Sequence, residues 1–419
     1  MRIGVIADDF TGATDAASFI VKNGLSAVQF SGVPNQDISS SDDALIVSLK
    51  SRSNDPKKAV KDSLQACQWL RRQGCNLIYF KYCSTFDSTA QGNIGPVSEA
   101  LMAELKVSSC VLCPSLPVNG RTVYQGNLFV FNTLLSESGM KDHPITPMTD
   151  SNVLRLIEKQ SSGKAGLVNW ATVSKGTSEV RSKIEELNEQ NVRFIVCDAI
   201  SESDLFTIGA EAQHHMLVTG GSGLVGAIAN HVSQTTPTQE SHIGKNAFVS
   251  VSGNGVVLSG SCSLMTNQQV ANYKQLAPSF KLDVDQCINN KAYGKEVLTW
   301  VLQHKEHDYF PLVYATVEAK ELQNIQTQYG SQASVAVERV FHELVKELYS
   351  HGFNSFVSAG GETSGTVTQA LDVTGFRVGK EIAPGVPWVN SLDGEIMLAL
   401  KSGNFGAPDF FEQAQEQLK

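Results

Sequence analysis

The chain has 419 residues, 42% hydrophobic and 18% charged, with a formal net charge of −9. That length exceeds what one hydrophobic core usually serves, so two domains are expected. The acidic balance argues against a nucleic-acid partner, which needs basic patches. No apolar run approaches the roughly 18 residues a membrane span needs, and the first charges come too early for a signal peptide. The expected address is the cytoplasm, with no membrane partner.

From the start to residue 235, apolar runs "RIGVIA", "ALIVSL", "NLIYFKY", "SSCVLCPS", "AGLVNW", "VRFIVCDA" and "HMLVTG" are mostly followed by amphipathic, helix-length segments such as Lys57 to Arg72 and Thr177 to Gln190. Strand and helix in turn mean parallel βαβ units, with ligands outside the carboxyl ends of the strands. Cys110 and Cys113 form a CxxC inside one of these runs and read as core packing rather than redox or metal chemistry. The polar stretch "SQTTPTQESHIGKN" loses all periodicity and is read as a connection. The expected organisation is a domain over 1–235, a linker over 236–246 and a second domain over 247–419. The fold class is α/β: two α/β lobes with largely parallel sheets and a cleft between them.

The first strand ends in "IADDFTGATDAA". Neighbouring strand residues point in opposite directions, so one of Asp8 and Asp9 faces a crevice while the other caps the following helix. Either can serve as a base for a hydroxyl whose oxygen is being drawn to a phosphoryl group. Later strand ends carry Lys50 and Arg52 in "SLKSRSNDP", Lys81, Ser84 and Asp87 in "FKYCSTFDST", and Asn119 and Arg121 in "PVNGRTVYQG". Arginine offers a planar fork for carboxylate, and Ser and Asn bind hydroxyls. Their recurrence at successive strand ends points to one pocket for a small hydroxy-acid.

"TGGSGLVG" matches GxGxxG at Gly221, Gly223 and Gly226. The acidic strand end expected about twenty residues later is missing, so NAD is rejected. Ser222 and Gly223, at a helix start, remain able to hold an anion. His304 and His307 in "HKEH" lack a second ligand pair and read as solvated. In the second lobe, "SAGGETSGTV" ends a strand at Gly360 and Gly361 and opens a helix, a geometry suited to phosphate. It is not a GxxxxGK loop. "VLSGSCS" from residue 257 and "LKSGNFG" from residue 400 repeat the strand-then-Ser-Gly arrangement.

In order along the chain, "ADDFTGA", "KYCSTFDST" with "GNIG", "CPSLPVNGRTVYQG", "PMTDSN", "TGGSGL", "SGSCS", "SAGGETSG" and "APGVPW" resemble the four-carbon acid-sugar kinases. The resemblance implies an N-terminal lobe that binds the acid sugar and a C-terminal lobe that binds ATP. It places Asp8 or Asp9 as base and Arg52, Lys81 and Arg121 near the substrate. Ser259, Gly360, Gly361, Glu362, Thr363 and Gly403 become nucleotide contacts. The long "CSTFDSTAQGNIG" segment is similar to that of 3-oxo-tetronate kinases rather than threonate or erythronate kinases.

The expected activity is therefore ATP- and Mg2+-dependent phosphorylation of the C4 hydroxyl of 3-oxo-tetronate, with magnesium held by phosphate and water rather than by a protein cage. D-threonate or D-erythronate kinase activity is the nearest alternative. A non-catalytic acid-sugar binder and an NAD-linked oxidoreductase are the rivals from other classes. A homodimer is compatible with the sequence but not required by it.

Overall fold

A computed structural model describes residues 1–142, 146–235 and 253–418. The chain divides into two compact units, Met1–Asn246 and Ala247–Lys419. The expected linker, 236–246, lies outside the described residues.

In the first unit, β1 (Ile3–Ala7), β2 (Ala27–Ser31), β3 (Ala44–Ser48), β4 (Leu77–Lys81), β5 (Cys110–Cys113), β9 (Ala165–Val168), β10 (Phe194–Cys197) and β11 (Leu217–Gly220) form one sheet. Its order is β2-β3-β1-β4-β11-β5-β10-β9, and every pair is parallel. All seven apolar runs read as strands are strands; β2, "AVQFS", is an addition. Cys110 and Cys113 are fully buried, and burial pushes their thiols up to about 12 and about 11, as inert core cysteines require.

Two rows of helices cover the strands. In one, α1 (Phe10–Lys22), α8 (Ser222–Thr235), α7 (Glu202–Ala212) and α6 (Thr177–Glu189) pack in series; in the other, α2 (Pro56–Arg72), α3 (Ile94–Leu105) and α4 (Val153–Gln160) do so. β1, β3 and β4 are accordingly buried at every position, with no alternation. The helix starts follow capping chemistry. Asp9 caps α1, Asp55 with Pro56 starts α2, and Ser201 with Asp204 makes a capping box for α7.

The segment after β5, read from the sequence as a strand-end loop, is instead a small antiparallel sheet: β6 (Arg121–Tyr124), β7 (Asn127–Val130) and β8 (Thr133–Leu134). The β6–β7 turn is tied down by Asp198, at the end of β10. Its carboxylate accepts from the amides of Gln125 (2.8 Å), Gly126 (2.9 Å) and Trp170 (2.9 Å). Trp170 opens the short α5 (Trp170–Val173).

In the second unit, β12 (Asn254–Ser259), β13 (Ser279–Lys281), β14 (Leu312–Tyr314), β15 (Phe353–Ala359), β16 (Gly375–Ala383), β17 (Val386–Ser391) and β18 (Met397–Lys401) order as β13-β14-β12-β15-β18-β17-β16. The pairs from β13 to β18 are parallel, whereas β16–β17–β18 is antiparallel. The sequence "APGVPW" is the β16–β17 turn, with Gly385 at φ +77°. The buried Trp388 anchors β17 through its indole N–H to the Ala414 carbonyl, 2.9 Å away on α15 (Phe410–Glu416). The other helices are α9 (Leu264–Tyr273), α10 (Val284–Asn289), α11 (Tyr293–Gln303), α12 (Ala319–Tyr329), α13 (Gln332–Ser350) and α14 (Gly361–Ala370). His304, just past α11, is half-buried and lies against Trp300, with ring centroids 4.4 Å apart, rather than standing fully solvated.

Asp198→Ala leaves three amides without their acceptor, each worth about 1–3 kcal/mol when buried. The expected result is a urea-unfolding loss of at least about 3 kcal/mol and faster proteolysis of the 121–130 hairpin. An unchanged midpoint would show that water replaces the carboxylate.

Candidate active site

The parallel register sets Ala7 beside both Ser48 and Lys81, so the ends of β1, β3 and β4 lie level and their following residues meet. Asp8 is 5% exposed. Arg52 grips it with both arms of the guanidinium, Nε to Oδ2 at 2.9 Å and Nη2 to Oδ1 at 2.8 Å. The same Nη2 lies 2.9 Å from Oδ1 of Asp9. Burial pushes the Asp8 carboxyl up from its ordinary range while Arg52 pulls it down. Burial also works against the Arg52 charge, but the two aspartates outweigh it and hold the guanidinium above its ordinary value.

Asp9 performs the capping. Its Oδ1 accepts from the Gly12 amide at 2.8 Å. Gly12 is required here, because a Cβ would overlap that oxygen and come within 3.1 Å of the Lys81 Nζ. Lys81 is therefore beside this turn, buried, donating to the Tyr82 carbonyl at 2.8 Å. Both Asp9 contacts fall on Oδ1; among the described residues, Oδ2 takes no hydrogen bond. Asp8 is thus locked by arginine, and Asp9 has one carboxylate oxygen without a hydrogen bond among the described residues.

Asn93 was not among the residues singled out by sequence, yet it holds the arginine loop. Its side-chain amide donates to the carbonyls of Ser51 (2.7 Å), Arg52 (3.2 Å) and Asn54 (2.9 Å). The signal lay in "GNIG", where Asn93 stands just before α3. Between β4 and α3, Thr85 donates to Asp87 at 2.5 Å across Phe86, which has φ +51°. Asp87 and Ser84 are half-buried on this turn.

Among the described residues, two predicted groups make no hydrogen bond or ion pair with this cluster. Asn119 and Arg121 sit at the start of the antiparallel hairpin, where Arg121 donates to the Asn119 carbonyl and stacks over Phe131 at 5.7 Å. Ser222 is buried and its hydroxyl donates to Asp15 on α1. The glycines around Ser222 serve packing: a Cβ on Gly221 would lie 2.6 Å from the Pro114 carbonyl, and one on Gly226 would lie 3.0 Å from Phe19. The GxGxxG pattern is a helix-packing device here.

In the second unit, the Ser-Gly motifs after β12, β15 and β18 converge at the carboxyl edge of the sheet. A Cβ on Gly260 would overlap the Thr363 hydroxyl, one on Gly360 would lie 3.2 Å from the Ser261 amide, and one on Gly403 would lie 2.5 Å from the Ser261 hydroxyl. Gly361 and Gly365 have nothing within 4 Å, so α14 begins with bare backbone. α14 starts at Gly361, which puts Glu362 and Thr363 in its first turn rather than in a loop before it. Ser259 lies beneath, its hydroxyl 2.6 Å from that of Thr316. Glu338, on α13, accepts from Thr363 at 3.2 Å and also has the Thr366 hydroxyl beside its carboxylate. Burial pushes its carboxyl up.

Such a turn, glycine-crowded behind and open in front, has a geometry suited to phosphate. Residues 3–228 match the model of a sugar-binding N-terminal domain, and residues 256–411 match that of a nucleotide-binding C-terminal domain. A curated 3-oxo-tetronate kinase of Haemophilus influenzae is 52% identical over 99% of each chain, and one of Actinobacillus succinogenes is 52% identical over 99% of each. The chain belongs to the 3-oxo-tetronate kinase family. A solved structure of a Haemophilus influenzae protein, 52% identical, superposes with a TM-score of 0.91 over 99% of this chain and 100% of the other. A Salmonella typhimurium LT2 structure described as a putative tRNA synthase, 49% identical, gives 0.94 over 100% of both chains. Family membership carries the kinase class and a nucleotide donor. No helix among the described residues is long and apolar enough to cross a membrane.

Removing Arg52 tests the electrostatics of the kinase cluster. Because burial raises Asp8, the folded chain binds more protons than the unfolded one between the ordinary aspartate value, about 3.9, and the raised value. Stability from this group therefore falls as pH rises through that window. Arg52→Gln extends the window upward. The variant is expected to lose more stability than the wild type between pH 4 and 7, measured by urea unfolding; equal losses would mean that Arg52 does not hold the Asp8 charge.

Proposed function

We infer that this chain is an ATP-dependent kinase that phosphorylates the C4 hydroxyl of 3-oxo-tetronate. The observation that carries the reading is the Asp8–Arg52–Asp9 turn at the carboxyl edge of a unit matching the sugar-binding domain, in a chain 52% identical to curated 3-oxo-tetronate kinases. In the proposed step the C4 oxygen forms a bond to the γ-phosphorus, the bond from that phosphorus to the β–γ bridging oxygen breaks, and ADP leaves. The hydroxyl proton passes to Oδ2 of Asp9. Asp8 stays engaged by Arg52 and fixes the register of Asp9.

Lys81 and the Arg121 hairpin are the cations proposed for the substrate carboxylate, with Ser84, Asp87 and Asn119 for its oxygens. Ser222 supports the site through Asp15 and α1. The triphosphate is assigned to Gly360, Gly361, Glu362 and Thr363, with Ser259 and Gly403 flanking. ATP fits on the crowding that only glycines relieve. Magnesium fits on the donor chemistry of this edge, where the Glu338 carboxylate lies beside Thr363 and Glu362 opens the same helix. Glu338 and Glu362 are the carboxylates that would hold it through water, and the ion would neutralise charge on the phosphates.

Transfer-RNA chemistry finds no support in a chain of net charge −9. The reading also implies a cytoplasmic address, where ATP and a small acid substrate are both at hand.

The test is an ADP-release assay with Mg-ATP against 3-oxo-tetronate, D- and L-threonate and D-erythronate. Turnover is expected with the 3-oxo acid. Asp9→Asn is expected to lower kcat about 10²–10⁴-fold with nucleotide affinity unchanged. Full turnover in that variant would move the base to Asp8, and silence across the panel with an acid still bound would replace the kinase by a binding protein.

A further inference from the structure

Lys401, the last residue of β18, is 1% exposed. Its Nζ donates to the Gly403 carbonyl at 3.0 Å and to the Thr266 hydroxyl at 3.1 Å, and lies 6.0 Å from the centre of the Phe410 ring. Thr266 donates in turn to the same Gly403 carbonyl at 2.7 Å. The amine thus sits under the turn that packs Gly403 against Ser261, at the edge where the three Ser-Gly motifs meet.

Among the described residues, no carboxylate forms an ion pair with it. β15, β17, α9 and the 402–407 turn carry no acidic side chain. The acidic groups of the remaining neighbours are Glu362 on α14 and Asp409, Glu412 and Glu416 around α15, and among the described residues none bonds to Nζ, whose partners are the Thr266 hydroxyl and the Gly403 carbonyl. A buried ammonium with only neutral acceptors is costly unless an anion comes to it. The mechanism above leaves this amine unused.

We propose that Lys401 is the internal cation of the nucleotide site: it positions the Gly403 turn from beneath and takes up a proton when the polyphosphate arrives. Burial alone lowers its pKa to about 7, so the empty site is divided between amine and ammonium near neutrality. An anion nearby favours the charged form. The inference rests on nucleotide binding at this edge of the second unit.

The experiment is calorimetric titration of the full chain with Mg-ADP in two buffers of different ionisation enthalpy, which counts protons taken up. Because burial lowers the amine, proton uptake on binding is expected at pH 8 and is expected to be clearly smaller at pH 6. Affinity should weaken up to about tenfold per pH unit above 7. Lys401→Met retains the stem and leaves Thr266 to hold the Gly403 carbonyl. It should bind at pH 8 with no proton uptake and a flat affinity profile.

Binding by the wild type without uptake at pH 8 overturns the proposal whatever the variant does. Uptake that persists in Lys401→Met assigns it to another group and overturns it as well. An absence of binding heat with the wild type removes the nucleotide site itself, and the proposal with it.

Discussion

One guanidinium holds two adjacent carboxylates at the end of β1, and the arrangement of the first unit follows from that constraint. A buried carboxylate is tolerated only when a charge and its hydrogen bonds replace water. Arg52 supplies both arms to Asp8 and shares one with Asp9. Arg52 must in turn be held, which explains three carbonyls of its loop converging on Asn93. The backbone adds its share, since the amides of Ser51 and Arg52 both bond the Asp8 carbonyl. The turn after β1 and the turn after β3 are consequently joined through both backbone and side chain, and Asp9 is left with one carboxylate oxygen that takes no hydrogen bond among the described residues.

The second unit solves the opposite electrostatic problem with little charge. Its cradle is built from hydroxyls, amides and glycines, with Lys401 buried beneath and Glu338 beside it. Small residues let three turns approach within contact distance, and the first turn of α14 then presents unbonded amides. In the proposed reading this is the site for a nucleotide's polyphosphate, which would bring its own cation.

The contrast between the units is chemical. In the first, the proposed proton transfer falls to a carboxylate pair held by arginine, so its residues are charged and individually placed. In the second, the proposed binding falls to backbone conformation, so side-chain identity matters chiefly through what fits: a methyl at Gly260 would overlap Thr363.

Much of this was legible in the sequence, because it is local. Continuous apolar runs identify strands buried on both faces, and Asp-Asp before a helix identifies both a cap and a second, inward-facing carboxylate. The family motifs named the chemistry. Which aspartate caps was decided only by the tertiary structure, since β1, β3 and β4 must align before Arg52 can reach Asp8. The hairpin after β5 escaped sequence reading because its strands are short and lie outside the main sheet, and it is fixed by Asp198, 72 residues from Gly126. The antiparallel pairing of β17 escaped for a similar reason: "VPWVNS" carries two polar residues and a proline, yet it is buried throughout. Residue types and spacing thus set which groups are present and on which element. The packing of distant strand ends set which of them touch, because contact across a parallel sheet depends on register, and register belongs to the whole fold.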